Sequence, residues 1–190
     1  MTIGQNEWHE GIGYDLDALA GLPPEDRQAA EDLLVARRAA DWRDLEALDH
    51  LGSPRALREL EAALRAASVD IRIEAGRRLA DRHLLNDAEI EGLIVDALSQ
   101  TTIADGMVKT LAFAAAHPTP GVRAKLLSCT LHGNDDIRAH AAALVHFLHG
   151  GSSSHFDWKF RPFYLTFTTE AGQARRAAYA ELCSMIGVEP

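Results

Sequence analysis

Four histidines near the C-terminus are the residues with the clearest potential for chemistry. His140, His146, His149 and His155 lie within sixteen residues, and Asp157 follows. In a helix, His146 and His149 occupy neighbouring faces, and two imidazoles with a carboxylate could bind zinc. The structural alternative is that His149 interacts with the free carbonyls of a helix end and the others are partly exposed polar residues. We predict no metal site and leave the His146/His149 alternative open.

Other catalytic patterns are absent from the sequence. It contains no HExxH, Walker loop, GxSxG or zinc-type cysteine pair. The segment 11–13, Gly-Ile-Gly, lacks a third glycine and a preceding strand, which predicts a turn. Cys129 lies in the middle of a predicted helix whose apolar residues indicate burial in the core. A reactive thiol needs an exposed, electropositive setting instead. We therefore predict a non-enzymatic protein with no catalytic residue and no cofactor.

The cysteine content and the hydropathy pattern bear on location. Cys129 and Cys183 are the two cysteines and lie far apart in sequence, which favours free thiols in a reducing compartment. The sequence contains no apolar run that would suit a membrane span or a signal peptide. We expect a cytoplasmic protein that does not act at a membrane.

The whole chain has a net charge of −9, and its acidic residues are concentrated in the first quarter. Residues 1–50 contain twelve acidic and four basic residues, whereas residues 51–190 contain sixteen and fifteen. This asymmetry disfavours nucleic acid and predicts a basic protein partner, although a solvated acidic face is the simpler alternative. The predicted contact residues are carboxylates that would steer a basic partner, with one aromatic anchor that could instead be a core residue: Asp41, Asp44, Glu46, Asp49 and Trp42.

Hydrophobic spacing and capping residues predict an all-α protein. The helix from Ser53 illustrates the pattern, since Ser53 suits an N-cap, Pro54 suits the first turn, and Leu57, Leu60 and Leu64 form one apolar stripe. Similar patterns predict ten helices, over residues 14–20, 21–38, 41–52, 53–67, 69–82, 86–100, 103–116, 118–133, 134–150 and 170–187.

An internal repeat predicts how these helices are arranged. An offset of 66 residues aligns the segment from residue 53 with the segment from residue 119. The aligned pairs are Pro54 and Pro120, Leu60 and Leu126, the Asp-Ile-Arg triplets 70–72 and 136–138, Ala75 and Ala141, and Leu79 and Val145. Half of this offset is about 33 residues, the length of one helix pair, and the segment 86–116 fits one further pair. Stacked helix pairs are the architecture that such a period indicates.

The two Asp-Ile-Arg triplets, each followed by a small residue at Ala75 or Ala141, resemble the HEAT-repeat family. The resemblance covers about residues 41–150, with Asp41-Trp42-Arg43 as a looser copy, and suggests a small bacterial member. The triplet at 103–105, Ile-Ala-Asp, departs from the pattern because it lacks the arginine. The resemblance implies a right-handed α-solenoid of helix pairs with a binding role, and it implies no particular ligand.

Some HEAT-like proteins are DNA glycosylases that hold the duplex against a basic face. A nucleic-acid-binding repair protein of this kind is one alternative function, and a cofactor-handling, lyase-like enzyme is another. Two predicted helices, 53–67 and 69–82, carry seven arginines at positions 55, 58, 65, 72, 77, 78 and 82. Acidic residues are interleaved with them, whereas phosphate binding needs a net positive strip. Nucleic acid is therefore disfavoured as a partner.

The aromatic segment, residues 152–169, contains six of the twelve aromatic residues of the chain. Alternation of aromatic and polar residues predicts an extended strap, with Pro162 preventing a helix, and the final helix would cap the stack with it. The alternative is an interface in which Trp158, Arg161 and Tyr164 contact a partner, because such residues dominate binding hot spots. We thus predict one domain, 1–190, with acidic helices in 1–40, repeats in 41–150, and strap and cap in 151–190.

These patterns together predict a protein that recognises another protein. The more specific form of the prediction is an immunity-type protein that occludes a basic partner such as a toxin domain.

Overall fold

The computed structural model describes residues 13–190 and confirms the all-α class. This part of the chain contains eleven α-helices and two 3₁₀ helices. The α-helices are α1 (Leu16–Ala20), α2 (Pro24–Arg37), α3 (Trp42–Leu51), α4 (Pro54–Ala63), α5 (Val69–Asp81), α6 (Asp87–Gln100), α7 (Met107–Ala116), α8 (Pro120–His132), α9 (Asp135–Leu148), α10 (Arg161–Tyr164) and α11 (Gly172–Ile186). The 3₁₀ helices are Trp158–Phe160 and Leu165–Thr168. Most of the predicted turn at 11–13 lies outside the described residues.

The chain divides into two compact units, with the boundary between Leu85 and Asn86. The first unit contains α1 to α5, and the second contains α6 to α11. The prediction of one domain over residues 1–190 stays a prediction.

Helix α3 lies at the centre of the first unit. It contacts α1, α2, α4 and α5, and α2 also contacts α4. The core is formed by leucines that these helices bury completely, among them Leu45, Leu48, Leu60 and Leu79. Each of these helices buries its apolar stripe against helices that come one or two places before or after it in the chain.

The second unit is packed in the same sequential manner. Helix α6 contacts α7 and α8, while α9 contacts α7, α8 and the segments that follow it. Ile94, Leu126, Ile137 and Leu144 are buried between these helices. Helix α11 packs on α8, α9 and the 3₁₀ helix Leu165–Thr168, which places the end of the chain against the last pair of long helices.

Equivalent caps recur at the predicted 66-residue offset. Ser53 and Thr119 both accept a hydrogen bond from the backbone N–H three residues later, and each is followed by a proline in the first turn. Ser68 and Asn134 cap α5 and α9 in the same way. Side-chain caps satisfy backbone N–H groups that the helix leaves without partners, and both units use them at positions 66 residues apart.

The arginine of each Asp-Ile-Arg triplet also has an equivalent role. Arg72 donates to the carbonyl of Ala67 at 3.1 Å, five residues earlier. Arg138 donates to the carbonyl of Gly133 at 2.8 Å, again five residues earlier. These bonds tie the start of α5 and α9 to the preceding turn, which explains the triplet structurally.

The aromatic segment is not the predicted extended strap, because it forms short helical turns. Its rings at 160, 163, 164 and 167 are spaced by three or four residues, which is a helical period that the alternating pattern concealed. Pro162 lies in the first turn of α10, where a missing N–H costs no hydrogen bond, so it does not prevent the helix. The predicted helix at 103–116 also differs, since α7 begins at Met107 after a turn in which Gly106 has φ +75°.

Candidate functional site

The predicted acidic contact residues lie on α3 or at its N-cap, and Asp44 is fully buried there. Its side chain has 0% exposure. Its carboxylate accepts hydrogen bonds from the Tyr14 hydroxyl at 2.9 Å, from Arg37 Nε at 2.9 Å and from the backbone N–H of Ala40 at 3.0 Å. A carboxylate so enclosed cannot pair with a partner's arginine or lysine. Asp44 is therefore a structural residue rather than a contact residue.

The bonds of Asp44 hold an unusual turn between α2 and α3. Arg38 and Ala39 both have positive φ, 55° and 50°, which residues other than glycine rarely adopt. This backbone directs the N–H groups of Ala40 and Asp41 at the Asp44 carboxylate, at 3.0 and 3.4 Å. The hydrogen bonds to the Asp44 carboxylate offset the conformational free-energy cost of two successive residues in the left-handed region.

Asp41 and Trp42 form the start of α3. Asp41 is the N-cap and accepts a hydrogen bond from the Arg43 N–H at 2.7 Å. It also pairs with the Arg43 guanidinium at 3.4 Å. The Trp42 side chain is half-buried, and the Arg43 guanidinium carbon lies 4.7 Å from the centre of its ring. Both residues thus have structural roles within the first unit.

Glu46 and Asp49 face the arginines of α5. Arg78 lies 3.2 Å from the Asp49 carboxylate and 3.7 Å from that of Glu46. Arg82 also pairs with Asp49, and Arg78 pairs with Glu74 on its own helix at 2.7 Å. Two of the acidic residues that predicted a basic partner, Glu46 and Asp49, are therefore paired with arginines that suggested DNA.

Three further arginines of the suggested basic strip are also engaged. Arg77 pairs with Glu74 at 2.8 Å and with Asp81 at 3.0 Å, Arg55 pairs with Asp32, and Arg72 binds backbone carbonyls. Five of the seven arginines therefore bind carboxylates or carbonyls of the first unit. Phosphate contacts would require these pairs to break.

In the second unit, the aromatic segment is held to α9 by a buried histidine. His146 is 2% exposed. Its Nδ1 lies 2.9 Å from the Tyr164 hydroxyl, and the Phe160 ring meets it edge-on at 4.8 Å between centroids. Burial lowers the pKa of His146. Tyr164 is fully buried and belongs to the core. It is therefore not available to contact a partner, which differs from the interface alternative offered by the sequence.

The remaining rings extend this cluster along α9. Phe156 packs on His140 at 5.2 Å and on Tyr164 at 5.3 Å, while Phe163 meets Phe167 at 5.6 Å. We call these rings and His146 the aromatic cluster. T-shaped and tilted pairs of this kind contribute about 0.5–1.5 kcal/mol each beyond burial. The cluster accounts for the concentration of aromatic residues near the C-terminus.

The histidines do not converge on a common point. His146 faces Tyr164, whereas His149 is exposed at the C-cap of α9. Within residues 13–190, no group of three or more His, Cys, Asp or Glu side chains could hold a metal ion. Cys129 is buried with Sγ 3.5 Å from the Leu98 carbonyl, and burial raises the pKa of its thiol, which opposes a nucleophilic role.

Trp158 and Arg161 are exposed on the outside of the aromatic cluster. Trp158 is 74% exposed, and the Arg161 guanidinium carbon lies 5.2 Å from the centre of its ring. Asp157 fixes the turn below, since it accepts from the Lys159 N–H at 3.0 Å and from the Ser153 hydroxyl at 2.8 Å. The Trp158 backbone is thus held in place while its ring remains open to contact.

A cavity in the first unit was not predicted from the sequence. It has a volume of about 270 Å³ and lies among side chains of α1, α2 and α3, close to Tyr14 and Arg37. Leu33, at its edge, is 68% exposed although its neighbour Leu34 is buried. The pair of adjacent leucines could have indicated this cavity from the sequence, because one apolar face of α2 cannot bury two consecutive side chains.

Comparisons of the chain with protein-family models, with curated proteins and with solved structures found no match. Among the described residues, no helix is both long enough and apolar enough to cross a membrane.

Proposed function

We propose that the protein is a non-enzymatic, right-handed α-solenoid of HEAT-like helix pairs that binds another protein. The observation that carries the proposal is the exposed Trp158 ring, stacked with Arg161 and supported by the aromatic cluster. Large exposed apolar groups on a fixed backbone are typical of interface anchors, and tryptophan and arginine are enriched among them.

Hydrogen bonds at the repeat period support the solenoid. Asn134 donates to the Thr101 carbonyl at 2.7 Å, and Asp136 accepts from the Ile103 N–H at 3.0 Å. The residues in each pair are 33 apart, which is the length of one predicted helix pair. Asp49 and Arg82 are also 33 apart. Contacts between equivalent positions of successive pairs are what a stack of repeats requires.

The narrower proposal is an immunity-type protein that occludes a basic partner such as a toxin domain. The net charge of −9 supports a basic partner, and exposed carboxylates at Asp15, Asp17, Glu25 and Asp26 replace the α3 residues as the groups that would steer it. The residues that we assign to contact are Trp158 and Arg161.

The test is affinity capture from the source cells followed by a binding measurement with the captured protein. We expect wild-type protein to retain a partner that Trp158→Ala loses, with affinity reduced at least tenfold, since hot-spot residues contribute about 2 kcal/mol or more. Val108→Ala is the matched control, because Val108 is equally exposed on α7. Equal binding by Trp158→Ala and wild type would remove Trp158 from the interface.

A further inference from the structure

The cavity of the first unit has an apolar body and one polar end. Its body is lined by Leu19, Leu33, Leu34 and two alanines, and Tyr14 and Arg37 line the rest. A volume of about 270 Å³ lies just below the range of roughly 300–1,000 Å³ that is typical of small-molecule sites. A ligand with a short apolar tail fits such a space.

Asp44 offers no free hydrogen-bond acceptor to this cavity, because its hydrogen-bonding capacity is already used. It accepts from Tyr14, from Arg37 Nε and from two backbone N–H groups. Burial, together with the bond to Asp44, raises the pKa of Tyr14 to about 12, so the phenol keeps the proton that it donates.

Arg37, in contrast, has hydrogen-bonding capacity left. Its Nε donates to both oxygens of Asp44, at 2.9 and 3.1 Å, and its side chain is 51% exposed. Within residues 13–190, Asp44 is the hydrogen-bonding partner of Arg37, and the two terminal amino groups of the guanidinium donate to no described residue. A guanidinium held at Nε presents these groups in a fixed plane, which suits a carboxylate.

We propose that this cavity binds a small amphipathic monocarboxylate, with its apolar tail among Leu19, Leu33 and Leu34 and its carboxylate on the terminal amino groups of Arg37. The leucines provide the burial of the tail, and Leu33 loses its exposure when the tail covers it. Arg37 provides a charge-assisted pair that distinguishes a carboxylate from a neutral head group. The residues of this site belong to the first unit, whereas Trp158 belongs to the second.

The experiment is a titration of the full chain with sodium octanoate, followed by calorimetry and by NMR. We expect saturable binding of one octanoate per chain, at least roughly tenfold tighter than octanol, because a hydrogen bond to a charged group contributes about 1.5–3 kcal/mol. Non-saturable binding, or equal affinity for octanol and octanoate, would overturn the proposal.

Two variants locate the site. Ala30→Leu adds bulk to the cavity wall while Arg37 and Asp44 stay unsubstituted, and it should abolish octanoate binding, while Arg37→Gln should weaken it at least tenfold. Arg58→Gln, at an exposed position on α4, is the matched control and should bind as wild type does. Thermal unfolding of each variant identifies loss of fold. If folded Ala30→Leu binds octanoate with unchanged affinity, the cavity is not the site.

Discussion

The Nδ1 atom of His146 lies 2.9 Å from the hydroxyl of Tyr164, eighteen residues later in the chain. This hydrogen bond joins α9 to the aromatic segment inside a core that excludes water from both groups. The segment therefore has a buried side and an exposed side. Tyr164 and Phe167 are buried against the second unit, whereas Trp158 and Arg161 face outwards.

Tyr164→Phe should lower the free energy of unfolding by about 1–3 kcal/mol, because it leaves the buried Nδ1 of His146 without its partner. Trp158→Ala should change it by about 0.5 kcal/mol or less, since the ring is mostly exposed. Denaturant titration of both variants measures the difference. A larger loss for Trp158→Ala than for Tyr164→Phe would contradict the assignment of the two sides.

Stability should fall as the pH decreases below about 6.5, the ordinary pKa of histidine. Burial lowers the pKa of His140 and His146, so the unfolded chain binds protons that the folded protein does not. Their contribution is complete above the unfolded pKa and is lost as the pH falls through the folded pKa. Denaturation midpoints measured from pH 7.5 to 5 should show this slope, and His146→Gln should reduce it. An unchanged slope in this variant would show that His146 is not one of the groups responsible.

Asp44→Ala should destabilise the first unit by about 3 kcal/mol, because buried donors from Tyr14 and the backbone of Ala40 lose their acceptor. Asp41→Ala, which removes only an N-cap and a partly exposed ion pair, should cost about 1 kcal/mol and is the matched control. Chemical denaturation gives both values. Equal losses of unfolding free energy would mean that Asp44 contributes no more to stability than the N-cap residue Asp41 does.

Gly151→Ala should be strongly destabilising. An added Cβ atom would lie 2.1 Å from atoms of the His146 ring, whose position is fixed by Tyr164 and Phe160. Gly92→Ala is the matched control, because its Cβ meets nothing within 4 Å on the exposed side of α6. There alanine should stabilise the protein by about 0.5–1 kcal/mol. A neutral Gly151→Ala would show that the His146 ring can move.

The purified protein should not be retained on a DNA column at low salt. Arg77, Arg78 and Arg82 are paired with carboxylates of α3 and α5, so the helix offers no net positive strip. Salt-gradient elution of wild type beside a known DNA-binding protein measures this. Retention with a steep salt dependence would instead favour the HEAT-like nucleic-acid alternative.

Local sequence determined most of the longer helices of this protein, whereas the start of α7 and the short helices of the aromatic segment differ from the prediction. The cap Ser53 and the proline that follows it act within three or four residues, so their effect can be predicted without knowing the fold. The 66-residue offset aligned two segments in which the structure contains equivalent caps, although the caps at Thr119 and Asn134 were not predicted. The aromatic segment was misread because its short turns provide both an alternating and a helical spacing, and packing against α9 selects the helical one.

Tertiary structure alone decided which charged and aromatic residues remain available. Asp44, Glu46 and Asp49 looked like a contact surface, but the folded chain sets them against Tyr14, Arg37, Arg78 and Arg82, which lie 7 to 33 residues away. Trp158 and Tyr164 are similar as sequence signals, yet one is exposed and the other buried. The physical reason is that caps and helices depend on neighbours in the chain, whereas ion pairing and burial depend on which helix faces meet.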